Sequence, residues 1–109
     1  MTWISVGRLE DIPVRGARVV ETPRGPVAVF RTVGDKVFAI DDRCPHRGGP
    51  LSQGIVHGER VTCPLHGWKI SLAEGEAVAP DEGCTARHPA RVVDGRVEVS
   101  LAAELPRSA

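Results

Sequence analysis

The chain lacks an excess of charge of either sign: 14 Lys and Arg offset 14 Asp and Glu over 109 residues. A nucleic-acid binder usually shows a basic surplus or stripe, so this balance argues against that class. There is no apolar run approaching the roughly 20 residues that a membrane-spanning helix needs. The first residues, Met1-Thr2-Trp3-Ile4-Ser5, lack the basic and apolar regions of a secretory signal. From these absences we expect a cytoplasmic protein whose partners include neither nucleic acid nor membrane. No G-x-G-x-x-G follows a strand-like segment, so no dinucleotide-binding turn is expected. Nothing repeats at solenoid length. Cysteine is scarce and odd in number, with three in all. That disfavours a closed disulfide framework and, in a reducing compartment, points to metal ligation or burial.

What is present is organised around residues 44–66. Two short loops carry the same elements: Cys44-Pro45-His46-Arg47-Gly48-Gly49 and Cys63-Pro64-Leu65-His66-Gly67-Trp68. Each offers one thiol and one imidazole, as C-x-H in the first loop and C-x2-H in the second. Sixteen residues separate His46 from Cys63, room for two short strands. Around the loops, runs rich in Val, Ile and Phe are punctuated by Gly or Pro, which predicts strands at 3–6, 18–22, 27–32, 37–41, 60–62 and 69–72. Residues 90–93 and 96–99 flank Asp94-Gly95, the pair that suits a type I′ hairpin turn. Residues 78–84 read as irregular because Pro80 and Gly83 disfavour a central strand. Only residues 101–105 look helical. The expected fold is all-β, an antiparallel sandwich or barrel forming a single domain over residues 1–109.

Three bland alternatives compete for the four Cys and His residues. A zinc site also uses two of each, although common fingers pair C-x2-4-C with H-x3-5-H and each loop here is mixed. A Cys44–Cys63 disulfide leaves both histidines without a role. Unrelated core thiols and surface imidazoles are the third alternative. Outside the loops, Cys84 is expected to be a buried free thiol, and His57 and His88 to face solvent. Trp68 either shields the site or packs into the core. Arg43, Arg47 and Lys69 are either solvated charge or a docking patch.

The C-x-H, spacer, C-x2-H pattern, with its neighbouring prolines and glycines, resembles the Rieske [2Fe–2S] family. The resemblance implies the Rieske fold, with a cluster-binding subdomain of two loops at about residues 42–82. It also implies that Cys44 and Cys63 bind one iron and His46 and His66 the other; in Rieske centres as a class, two histidines replace two cysteines on one iron. The family's high-potential members carry an extra disulfide between the loops, where this chain has Gly49 and Leu65. They also carry two hydroxyl donors after the second loop, where this chain has Trp68 and Ile70. With those stabilisers of the reduced state missing, the expected potential lies near the low end known for Rieske centres, about −150 mV. No second iron site is visible, so the chain should carry electrons singly and not be catalytic alone.

Residues 44–58, Cys63-Pro64-Leu65-His66, Gly75-Glu76-Ala77 and Pro80-Asp81-Glu82-Gly83-Cys84 resemble the small subunit of NAD(P)H-dependent assimilatory nitrite reductase. One departure is Gly67, where a larger polar residue such as asparagine is expected. This resemblance implies a large subunit carrying FAD, a [4Fe–4S] cluster and siroheme that reduces nitrite to ammonium in nitrate assimilation. Some small subunits of that family lack the ligands; this chain keeps all four. The alternative is a free ferredoxin shuttling electrons from a ferredoxin reductase to an aromatic-ring-hydroxylating dioxygenase. A third class is a non-redox module in which the cluster only sets loop geometry.

Overall fold

The computed structural model describes residues 3–23, 25–45, 49–65, 67–78 and 82–100. In chain order the strands are β1 (Trp3–Arg8), β2 (Gly16–Thr22), β3 (Gly25–Arg31), β4 (Val37–Asp41), β5 (Ile55–His57), β6 (Arg60–Thr62), β7 (Lys69–Ser71), β8 (Glu76–Ala77), β9 (Arg87–His88), β10 (Ala90–Val93) and β11 (Arg96–Ser100). Single 3-10 turns occupy Leu9–Asp11 and Leu51–Gln53. Among the described residues all strand pairs are antiparallel and form three sheets, ordered β1-β11-β10, β2-β3-β4-β9 and β5-β6-β7-β8. The all-β expectation holds, and β5 and β6 are the two short strands anticipated between the loops. The expected helical stretch 101–105 lies outside the described residues.

The layering follows from the period of two along β3. Val27 and Val29 join an apolar core with Ile12, Val37, Ala39, Val97 and Val99, between the first and second sheets. Ala28 and Phe30 face the other way, into a core with Ile40, Leu51, Val56, Val61, Ile70 and Leu72, between the second and third sheets. Successive side chains of a strand leave opposite faces. The unbroken buried run Val27–Phe30 therefore marks a middle layer covered on both sides. The β10–β11 hairpin turns at Asp94 (φ 50°) and Gly95 (φ 77°), the left-handed pair that a type I′ turn demands. No helix among the described residues is long and apolar enough to cross a membrane.

Candidate functional site

Both loops rise from the rim of the core between the second and third sheets, and both cysteines belong to that core. Cys44 and Cys63 are each 1% exposed. The loops close in the same way: the Cys44 N–H donates to the Gly49 carbonyl at 2.8 Å, and the Cys63 N–H donates to the Trp68 carbonyl at 2.7 Å. Each closure spans six residues, with the cysteine first. The proline that follows each cysteine fixes φ and brings no N–H to compete for the closing carbonyl. Trp68 is half-buried and packs against the core, so of its two expected roles packing is the one observed.

The two thiols lie beside each other. Burial pushes the Cys63 thiol up from its ordinary value; the Leu65 N–H, 3.4 Å from Cys63 Sγ, pulls it part of the way back, and the neighbouring Cys44 thiol raises it further. The burial that disfavours a Cys63 thiolate is offset when a cation binds the sulfur. A metal centre supplies that cation and is in turn bound by thiolates. The donor set and the N–H aimed at sulfur therefore fit an iron–sulfur group. The expected imidazole donors His46 and His66 lie outside the described residues, as does Arg47. Among the described residues there is no group of three or more His, Cys, Asp or Glu that could hold a metal ion; the described part of the candidate site is its two thiols. None of the three cysteines forms a disulfide, which removes the Cys44–Cys63 bridge.

The stems differ. The first loop leaves β4 and is held at its base by Asp42, which accepts the Ser52 N–H at 2.7 Å and the Ser52 hydroxyl at 2.8 Å. The second loop is the tip of the β6–β7 hairpin, with Thr62 paired to Lys69. A third excursion follows β8. It is closed by the Ala77 N–H donating to the Gly83 carbonyl at 2.9 Å and tied to the second loop's stem by the Val78 N–H donating to the Lys69 carbonyl at 2.8 Å. Gly83 (φ 140°) lands on both cysteine loops: a Cβ there would sit 3.0 Å from Pro45 Cβ and 3.9 Å from Trp68 Cζ3. Asp42, Ser52 and the bridging role of Gly83 escaped the sequence reading. The only available signal was the grouping of Gly83 within a distinctive segment.

Two expectations are overturned. Cys84 is exposed, not buried: it bridges to Glu76 at a sheet edge, and the alternation hands the inward position to its neighbour Thr85. His88 does not face solvent. It sits on β9 opposite Ala39, its side chain is 0% exposed, and its Nε2 lies 2.9 Å from Asp41 Oδ1. His57 is half-buried, with Nε2 2.9 Å from Thr62 Oγ1 across the β5–β6 pair. Arg43 and Lys69 are exposed beside the loops.

Known proteins share this architecture. The chain is 35% identical to the anthranilate 1,2-dioxygenase ferredoxin subunit of Burkholderia cepacia, over 91% of this chain and 92% of that protein. A crystal structure assigned as the NADH-dependent nitrite reductase small subunit of Mycobacterium tuberculosis superposes with a TM-score of 0.84 at 25% identity, covering 94% of this chain and 96% of that one. A ferredoxin bound to the oxygenase of carbazole 1,9a-dioxygenase superposes with a TM-score of 0.79 at 29% identity, covering 90% and 92%. The sequence profile of the Rieske [2Fe-2S] domain matches residues 2–92. The mixed loops, the paired buried thiols and this match over most of the chain lead to one assignment: the protein belongs to the Rieske [2Fe–2S] domain family, holds a Rieske-type cluster, and is an electron carrier of the Rieske ferredoxin type.

Proposed function

We propose that Cys44 and Cys63 hold the cluster through sulfur and His46 and His66 through nitrogen, and that the chain is the small subunit of an NAD(P)H-dependent nitrite reductase, passing electrons singly to or from a large catalytic subunit. The observation that carries the ligand assignment is the pair of identically closed loops that set two buried thiols side by side. When bound, the cluster supplies a one-electron couple. The protein's share is to exclude water from the sulfur side, through the core around Cys44 and Cys63, and to point the Leu65 N–H at the charge on sulfur. Residues 1–109 form one domain in this reading, with the ligand-bearing part at about 42–82. A cytoplasmic location accords with three cysteines that form no disulfide.

The nitrite reading draws on the residues that resemble those small subunits and on the TM-score of 0.84. Gly67 departs from the expected asparagine without contradicting it. Its φ is 72° and a Cβ there would meet nothing within 4 Å, so either left-handed-tolerant residue fits. A second reading, a ferredoxin feeding an aromatic-ring-hydroxylating dioxygenase, is favoured by the 35% identity to such a subunit over nearly its whole length. Purification of the native protein with its bound partners separates the two. Co-purification with a siroheme protein, and NAD(P)H-dependent nitrite reduction that depends on this chain, is the expected result. A partner-free red-brown protein that supports dioxygenase turnover instead would select the second reading.

A further inference from the structure

Gly49 is buried and its φ lies outside the left-handed region, so its backbone conformation does not require glycine. Space requires it. A Cβ at this position would lie 2.9 Å from Leu65 Cδ1, 3.0 Å from Leu65 Cγ and 3.1 Å from Cys63 Sγ. Gly49 is also the residue whose carbonyl closes the first loop on Cys44, and Leu65 is the residue whose N–H reaches Cys63 Sγ. One contact thus joins the closing residue of one loop to the sulfur-facing residue of the other. Leu65 is 41% exposed and belongs to neither apolar core.

We propose that Leu65 is a positioning residue for electron transfer: its side chain, seated where Gly49 has none, sets how closely the two loops approach and keeps water from the Cys63 sulfur. This rests on the assignment of Cys44 and Cys63 as cluster ligands. Its effect on the potential follows from charge. Reduction adds one negative charge to the centre, and water favours the more charged state, so an apolar cover beside sulfur holds the potential down. The Leu65 N–H is backbone and survives truncation of the side chain, so cover and hydrogen bond are separable.

The test is made on the cluster-loaded chain. Leu65→Ala should raise the midpoint potential and speed cluster loss to an iron chelator by about tenfold, the low end of what removing an outer-shell partner does to a metal site. The melting temperature of the fold should stay at the wild-type value. Leu65→Met, which keeps the volume, should restore both the potential and the lifetime. Gly49→Ala should disturb the wild type more than it disturbs Leu65→Ala, because two of the three crowding atoms are then gone. An unmoved potential and lifetime in Leu65→Ala, a Leu65→Met that behaves like it, or additive effects of the Gly49 and Leu65 changes would each overturn the proposal alone. Retention of a normal cluster by Cys63→Ser would overturn the ligand assignment and the proposal with it.

Discussion

The two cysteine loops close identically and are supported differently. The second is the tip of a hairpin whose ladder runs directly into it, so backbone pairing on both strands holds it. The first runs from the middle sheet to the third sheet and, among the described residues, has no partner strand of its own. A side chain does the work of a ladder there: the Asp42 carboxylate grips both the N–H and the hydroxyl of Ser52 across the base. A metal site that must align donors from two segments can thus have one arm stiffened by secondary structure and the other by a single charged residue. The arm held by one residue is the more fragile.

The largest expected effect removes the group that both arms share. Cys44→Ser or Cys63→Ser should abolish the cluster, read as loss of bound iron and of visible absorption. In the metal-free wild type the asymmetry should then surface in hydrogen exchange. The Cys44 amide should lose roughly tenfold more protection than the Cys63 amide, because an unladdered segment opens locally at lower free energy. Equal loss at both amides would mean that the stems contribute nothing separate.

Next in size is Asp42→Ala, which leaves the half-buried Ser52 N–H without its partner and removes a charge-assisted bond. It should destabilise the chain by about 2–3 kcal/mol in denaturant unfolding, with the exchange change centred on the first loop. Ser52→Ala, which removes only the hydroxyl contact, should lose about 1 kcal/mol. If Asp42→Ala loosened the second loop as much as the first, the two supports would be one.

Much of this arrangement was legible in the residues. Both loops, β4, β6 and the Asp94-Gly95 hairpin follow from local pattern, because short-range turn chemistry and period-two alternation decide them. What was not legible is what depends on partners far away in the chain. Asp42 and Ser52 are ten residues apart with no periodic signal between them. His88 sits on a two-residue strand, too short to alternate, and meets Asp41 across 47 positions. Cys84 was misplaced because its inward or outward side depends on a single bridge to Glu76.

The third excursion joins the two arms, and Gly83 is where it does so. An alanine there would meet Pro45 on the first loop while forced into φ 140°, a region side chains rarely adopt. Gly83→Ala should cost about 1–2 kcal/mol and perturb the exchange of both loops together, unlike Asp42→Ala.

The smallest effect probes the ladder itself. Thr62→Val keeps the β-branched shape that suits β6 while deleting the hydroxyl that meets His57. The backbone pairing of Thr62 with Lys69 is untouched, so the second loop should keep its closure. We expect a loss of only about 0.5–1 kcal/mol in denaturant unfolding, with the Cys63 amide as protected as before. A large fall in Cys63 protection would show that the second arm, too, hangs on a side chain, and the contrast between the loops would vanish.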